Sequence, residues 1–108
     1  MDYQVIIEYA WENRSALKEP ETIAAIEHVI EALDKGQLRV ASPNADGSWE
    51  IHEWVKKAVI LYFPTRQMKT TEAGPMEFHD KMELKRNYAE LGVRVVPHAI
   101  ARYGAYLA

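Results

Sequence analysis

A single arginine in an apolar segment is the residue of this sequence whose type and position most clearly suggest ligand chemistry. Arg94 lies in Val93-Arg94-Val95-Val96, and Pro97 follows directly. This β-branched run predicts a strand that the proline ends. A guanidinium in such a strand needs a partner, and a carboxylate can accept two parallel hydrogen bonds from it. Arg94 is therefore predicted either to bind a carboxylate ligand or to form an internal salt bridge.

The histidines and their neighbouring carboxylates are the next candidates for chemistry. The four imidazoles belong to His28, His52, His79 and His98, and none of them has the spacing that builds a metal site. In Glu50-Ile51-His52 and in Glu77-Phe78-His79, a carboxylate and an imidazole would share one strand face and could transfer a proton. A solvated strand face has the same spacing and is the simpler interpretation. We therefore predict no metal site.

The composition excludes several classes of protein. The 108 residues include no cysteine, so disulfides, thiolate zinc sites and thiol nucleophiles are absent, which suits a reducing compartment. A formal net charge of −3 without a concentrated basic face argues against nucleic-acid binding. The first residues lack a signal-peptide pattern, and no apolar run is long enough to span a membrane. We expect a cytoplasmic protein that binds neither nucleic acid nor membrane.

Two amphipathic helices form the first half of the predicted fold. Asp2 can cap a helix that runs to about Ser15, whose apolar stripe consists of Tyr3, Ile6, Ile7, Ala10 and Trp11. Pro20 suits the first turn of a second helix, and Gly36 supplies a left-handed stop. The apolar residues of this second helix are Ile23, Ile26, Val29, Ile30 and Leu33.

A hairpin and a third helix are expected next. The short alternating runs 38–41 and 49–52 flank a segment rich in turn formers, which predicts two paired strands. Residues 54–63 are almost all apolar and precede Pro64, so they predict a helix that is buried on most sides. Its one solvated edge would be formed by Lys56 and Lys57.

The remainder of the sequence is less regular. Residues 65–75 are polar and predict a connection without structure. A strand is possible over 76–79, and a short helix over 85–91 that Gly92 would close. Near the end, the large residues Ile100 and Tyr106 lie six positions apart with two alanines between them, which suggests a hexapeptide repeat. A single repeat has no stability without stacked neighbours, so we expect the chain to stop at the beginning of a repeat domain.

Long segments of the sequence resemble one enzyme family. They are LDKGQLRVA at 33–41, DGSWEIHEWVKKAVILYF at 46–63, GVRVVP at 92–97 and RYGAYLA at 102–108. In this order they closely resemble the amino-terminal region of tetrahydrodipicolinate N-succinyltransferases. Two departures are the segment 65–91, which looks shorter than in the family, and His98, which stands where a proline or a small residue is common.

The resemblance implies a cytoplasmic homotrimer that transfers succinyl from succinyl-CoA to a tetrahydropyridine dicarboxylate, a step towards diaminopimelate and lysine. It also implies that Arg94 binds the dicarboxylic substrate. The family's left-handed parallel β-helix, catalytic aspartate and CoA groove would follow the last residue. We therefore expect no catalytic, cofactor-binding or metal-binding residue in this chain, and no turnover of succinyl-CoA by the chain alone.

The predicted fold class is α+β. Residues 1–92 would form a small, mainly helical amino-terminal domain with a short hairpin. Residues 93–108 would form the first rung of the β-helix, whose remainder is absent from this chain. The alternative is a free-standing binding or assembly module that keeps this fold without catalysis, and the two hypotheses differ in whether hexapeptide repeats follow in the intact reading frame.

Overall fold

The first helix begins at its predicted cap. The computed structural model describes residues 2–108. Helix α1 spans Tyr3–Glu12, and the Asp2 side chain accepts a hydrogen bond from the Val5 amide at 3.3 Å, which confirms the cap. The helix ends earlier than the predicted Ser15, because Asn13 leaves the helical conformation and a 3₁₀ turn, Arg14–Lys18, follows.

The second helix forms as the sequence predicts. Helix α2 spans Pro20–Asp34, with the proline in its first turn. Gly36 adopts a φ of 75°, its amide donates to the Leu33 carbonyl, and the Gln37 amide donates to the Ala32 carbonyl. These two bonds form a Schellman motif, which satisfies carbonyls that the helix end would leave unpaired.

The third helix completes a three-helix core. Helix α3 spans Glu53–Tyr62 and packs against both α1 and α2. The buried apolar residues of the core are Ile7, Ala10, Ala16, Ala25, Ile26, Val29, Ile30, Val55, Ala58, Leu61 and Tyr62. The expectation that only the lysine edge of α3 is solvated was wrong, because Ile60 is 40% exposed. The two helices that α3 contacts do not surround it.

The first hairpin is present but its first strand is shifted. Strand β1 spans Ala41–Pro43 and pairs antiparallel with β2, Trp49–Ile51. The prediction of a first strand at 38–41 was therefore wrong by about three positions. The sequence pattern predicts Pro43 in the turn, but in the structure it is the last residue of β1. Proline is tolerated there because both strands of a two-stranded sheet are edge strands. The turn is shorter than expected, since the Asn44 amide donates to the Ser48 carbonyl at 2.7 Å.

A second hairpin lies where the sequence predicts a connection. Strand β3, Lys69–Ala73, pairs antiparallel with β4, Met76–Asp80. The predicted strand at 76–79 is confirmed, but the expectation of no structure over 65–75 was wrong. Gly74 has a φ of 61° at the first central position of a two-residue turn, which is the left-handed conformation that favours glycine in tight hairpins. The turn residues thus mark a hairpin rather than a loop.

The last helix is shorter than predicted. Helix α4 spans Tyr88–Leu91, and Gly92 ends it with a φ of 72°. The expected start at residue 85 was wrong because the Lys85 amide donates to the Ala101 carbonyl at 2.9 Å, which holds this residue in an extended pairing.

Residues 93–96 do not form the predicted strand. They have no regular secondary structure, although exposure alternates from half-buried at Val93 and Val95 to exposed at Arg94 and Val96. The β-branched side chains favour an extended chain, but a strand also needs a neighbour to pair with. Among residues 2–108, strand pairing is limited to the two hairpins and one isolated bridge between Leu84 and Arg102.

The final segment returns to the helical core. The Tyr103 amide donates to the Glu83 carbonyl at 2.8 Å. The ring of Tyr106 lies against Gly36, where an added Cβ would meet it at 2.8 Å. The described chain is thus a small α+β fold of helices and two antiparallel hairpins, as predicted at that level, and its last residues pack on the end of α2.

Candidate functional site

Arg94 is presented to solvent. It is exposed in the irregular segment that follows Gly92, between the half-buried Val93 and Val95. No carboxylate of residues 2–108 lies within 4.0 Å of its guanidinium. The internal salt bridge considered from the sequence is therefore not formed within the described chain. All of the donors of this side chain remain able to bind a ligand carboxylate.

A buried ion pair lies beside the last segment. The Lys85 ammonium donates to the Asp34 carboxylate at 2.8 Å, and both side chains are only 5% exposed. The same ammonium donates to the Asp34 backbone carbonyl at 3.0 Å. The other contacts of the carboxylate are the Gly104 amide at 2.9 Å and the Lys35 ammonium at 3.1 Å. Both charged groups are thus extensively hydrogen-bonded, which offsets the cost of burying them.

The environment of Asp34 keeps it ionised. Burial by itself raises the pKa of this carboxyl group, because an apolar environment disfavours charge. The hydrogen bonds from Lys85, Gly104 and Lys35, together with the charge of Lys85, lower the pKa by more than burial raises it. The net result is a pKa below the ordinary value, so the carboxylate is charged at neutral pH.

Three segments that are distant in sequence meet at this pair. Asp34 ends α2, Lys85 precedes α4, and Gly104 belongs to the last segment. A further bond links the same regions, since the Tyr103 hydroxyl donates to the Glu31 carboxylate at 2.6 Å. We call the residues Glu31, Asp34, Lys85, Tyr103 and Gly104, with the hydrogen bonds among them, the α2 clamp. It fixes the path of residues 101–104 over the helix.

A polar cavity of about 250 Å³ opens next to the α2 clamp. Its lining residues are Glu27, Tyr62, Arg66, Glu83 and Tyr103. Burial raises the pKa of both phenols, and hydrogen bonding to Glu31 raises that of Tyr103 further. Both hydroxyls are therefore protonated at neutral pH, and that of Tyr103 donates a hydrogen bond to Glu31.

The two histidines that were predicted to share a strand face with a carboxylate each lie close to a hydroxyl group of the chain. His79 Nδ1 lies 3.0 Å from the Thr70 hydroxyl of the neighbouring strand, and His52 Nε2 lies 2.8 Å from the Ser42 hydroxyl. The exposed His79 in β4 fits the interpretation of a solvated strand face. The expectation was wrong for His52, which is half-buried and lies after the end of β2, directly before α3. Within residues 2–108, no three His, Cys, Asp or Glu side chains are grouped closely enough to hold a metal ion. None of the described helices has both the length and the apolar character that a membrane crossing requires.

The burial of Asp34 could have been predicted from the spacing of residues in the sequence. Ile26, Ile30 and Asp34 lie at i, i+4 and i+8 on the buried stripe of α2. An aspartate at such a position needs a buried partner. Its partner Lys85 lies 51 residues later in an irregular segment, and no pattern in the sequence indicates it.

Comparison with known proteins identifies the family. A family model described as the amino-terminal part of tetrahydrodipicolinate N-succinyltransferase matches residues 2–65, which include α1, α2, the first hairpin and α3. The chain belongs to the tetrahydrodipicolinate N-succinyltransferase family. This confirms the resemblance found in the sequence.

Individual members of this family match almost the entire chain. The 2,3,4,5-tetrahydropyridine-2,6-dicarboxylate N-succinyltransferase of Paracidovorax citrulli is 46% identical over 97% of the chain. Proteins of the same name from Coxiella burnetii and Bordetella pertussis are 45% and 43% identical over 99% and 100% of the chain. The last comparison therefore includes Arg94 and all residues of the α2 clamp.

The chain spans 42–43% of the length of these relatives. The alignment to the Bordetella pertussis protein runs over 118 positions, more than the 108 residues of this chain. The relative therefore has residues within the alignment that have no counterpart here. That the shortening falls in the segment 65–91 stays a prediction.

Proposed function

We propose that this chain is the amino-terminal part of an enzyme that transfers the succinyl group of succinyl-CoA to tetrahydrodipicolinate, a step of diaminopimelate and lysine biosynthesis. The observation that carries the proposal is the 46% identity to a protein named for this activity over 97% of the chain. The family model supports it independently, since it describes the same amino-terminal part.

In this proposal, Arg94 binds the substrate. Its guanidinium is exposed, lacks a carboxylate partner among residues 2–108, and can donate two parallel hydrogen bonds to one carboxylate. A dicarboxylate substrate offers such a group at each end. Arg94 would bind one end and so position the amine or imine nitrogen relative to the thioester.

The acyl-transfer chemistry belongs to the remainder of the enzyme. Attack of an amine on a thioester needs a general base at the nitrogen and donors for the developing oxyanion. We infer that both are supplied by the larger part of the relatives, which has no counterpart in this chain. The chain itself would bind neither succinyl-CoA nor a metal, and it would not turn over succinyl-CoA alone.

The proposed architecture of the whole enzyme has two parts. Residues 1–92 form the amino-terminal α+β domain, and residues 93–108 lead into the first rung of a left-handed parallel β-helix. Ile100 and Tyr106, at the spacing of one hexapeptide, are 54% and 60% exposed, which leaves them able to pack on a following rung. The enzyme would be a cytoplasmic homotrimer, assembled mainly through the β-helix.

The test of Arg94 uses a hybrid enzyme. It consists of residues 1–108 followed by the part of the Paracidovorax citrulli relative that has no counterpart here. We expect Arg94→Gln to raise the KM for tetrahydrodipicolinate about 10–100-fold, because a charge-assisted pair is lost. The KM for succinyl-CoA should change little, and Arg94→Lys should recover only part of the loss.

The matched control is Arg39→Gln, which removes another arginine that precedes the first hairpin. Initial rates of CoA release, measured against each substrate in turn, distinguish the two variants. An unchanged KM for tetrahydrodipicolinate in the Arg94→Gln hybrid would exclude the proposed role of this residue.

A further inference from the structure

A second cleft lies between the β3–β4 hairpin and the last segment, outside the residues that the family model matches. Its volume is about 400 Å³, within the range that holds small ligands. The lining includes an apolar floor formed by Phe78, Met82, Leu84 and Ile100. Arg94 does not line this cleft, and neither does any residue of the first three helices.

The rim of this cleft carries charges of both signs in adjacent pairs. The Arg102 guanidinium lies 3.3 Å from the Asp80 carboxylate, and the Lys69 ammonium lies 3.4 Å from the Glu83 carboxylate. These side chains are between 41% and 56% exposed. Exposed pairs of this kind contribute little to stability, so their partners can be exchanged for those of a ligand at low cost.

The rim carries charges of both signs, and the Arg102–Asp80 pair is balanced in itself. Three basic side chains, Lys69, Arg86 and Arg102, and three acidic ones, Glu72, Asp80 and Glu83, line the cleft. Glu83 also pairs with Arg66, which lies outside the lining, at 3.3 Å. Lys85 also lines the cleft, but Asp34 already neutralises its charge. Beside the Arg102–Asp80 pair, the attraction of a simple anion to the guanidinium is offset by repulsion from the carboxylate, and the reverse holds for a simple cation. The rim therefore favours a ligand that carries both charges side by side.

We propose that this cleft binds a zwitterionic α-amino acid with an apolar side chain. The ligand carboxylate would pair with Arg102 and its ammonium with Asp80, since the two protein groups are adjacent as the two ligand groups are. The aliphatic side chain would lie on Phe78, Leu84 and Ile100. Each buried methylene adds to affinity, so the floor selects against glycine.

The test is a titration of the 108-residue chain with L-norleucine, followed by backbone amide chemical shifts. Three matched probes each lack one feature of norleucine: hexanoate lacks the ammonium, pentylamine lacks the carboxylate, and glycine lacks the aliphatic chain. We expect saturable shifts with norleucine in the millimolar range, confined to β3, β4 and residues 82–86 and 100–102. Each of the three probes should bind at least about ten-fold more weakly.

Two variants complete the experiment. Arg102→Gln should weaken norleucine binding about ten-fold, whereas Arg39→Gln, remote from the cleft, should leave it unchanged. If Arg102→Gln disturbs the fold by circular dichroism, Asp80→Asn serves as the second variant, with the same expected loss. Absence of saturable shifts with norleucine, shifts outside the cleft, or equal binding of hexanoate would overturn the proposal.

Discussion

At the scale of single residues, Asp34 and Lys85 are the side chains whose chemistry the fold depends on most. The pair is buried, and each charge has more than one hydrogen-bond partner. Removing one member of a buried pair leaves the other uncompensated in an environment of low dielectric. The contribution of Asp34 therefore differs from that of the exposed ion pairs elsewhere in the chain.

We expect Asp34→Asn to lower the free energy of unfolding by about 3–5 kcal/mol, because Lys85 would lose its counter-charge in a buried site. Lys35→Met removes a partner that is 53% exposed and should cost less than about 1 kcal/mol. Urea unfolding of both variants, followed by circular dichroism, measures the difference. Equal effects of the two substitutions would contradict the importance of the buried pair.

The lowered pKa of Asp34 also predicts how stability depends on pH. A carboxyl group whose pKa is lower in the folded state stabilises the fold fully above its unfolded value, here 3.8. This contribution is lost as the pH falls through the lower pKa of the folded state. Asp46 and Glu83 also have lowered pKa values and act in the same direction.

We therefore expect the stability difference between the wild-type chain and Asp34→Asn to be constant near neutral pH and to shrink below about pH 4. Comparing the two proteins cancels the contributions of Asp46 and Glu83, which both retain. Thermal midpoints measured from neutral to strongly acidic pH give this difference. A gap that widens on acidification would show that the sign of the Asp34 shift is wrong.

Arg94 could be singled out from the sequence at the residue scale, and its ligand role stays a prediction, whereas the α2 clamp was missed. Arg94 was visible because a charge interrupts a valine run, which is a local pattern. The clamp joins residues that are 51 and 70 positions apart, and such a pairing depends on the tertiary fold. Asp34 alone could have been suspected from its position on the buried stripe of α2.

At the scale of elements, the end of α2 is where local and tertiary structure depend on each other. Gly36 provides the left-handed conformation of the Schellman motif, and the ring of Tyr106 occupies the space where a side chain would extend. Glycine is thus required here for two reasons: the backbone angle and the close approach of the ring.

We expect Gly36→Ala to be more destabilising than Gly47→Ala. Both glycines have positive φ, so each substitution costs about 1 kcal/mol of backbone strain. Only at Gly36 would the new methyl carbon meet a ring, with 2.8 Å between it and the nearest carbon of Tyr106. Relieving that contact should add about 1 kcal/mol or more to the cost of the Gly36 substitution. Chemical unfolding of the two variants provides the comparison.

Tyr106→Ala supplies the control for this prediction. In that background the ring is gone, so the extra cost of Gly36→Ala over Gly47→Ala should largely disappear. Persistence of the full difference without the ring would mean that the close contact is not its cause.

Elements with a strong local period were predictable, and those that depend on a partner were not. The stripes of α1 and α2 follow the helical repeat, and both helices are present, α1 with its expected aspartate cap and α2 with its expected glycine stop. The polar strand β3 has no apolar alternation, because its hairpin lies outside the core, so only its turn residues could have indicated it. The valine run 93–96 has strand-forming residues but no pairing partner within residues 2–108.

At the scale of the whole molecule, the chain is thin and exposes much apolar surface. Its extents are 43 × 40 × 19 Å. Large apolar side chains that are at least 60% exposed are Val5, Tyr9, Trp49, Ile51 and Tyr106. Val5 and Tyr9 lie one helical turn apart on α1, and Trp49 and Ile51 lie on the same face of β2, so each pair can pack against further protein. This agrees with the proposal that the chain is one part of a larger enzyme.

The most direct test of that proposal is succinyl transfer by the hybrid enzyme, measured as CoA release in the presence of succinyl-CoA and tetrahydrodipicolinate. We expect turnover within about ten-fold of that of the Paracidovorax citrulli enzyme, since the amino-terminal part supplies binding rather than the acyl-transfer chemistry. The 108-residue chain alone should release no CoA above background. A hybrid that folds and assembles like the parent enzyme yet lacks turnover would contradict the account and favour a free-standing binding or assembly module.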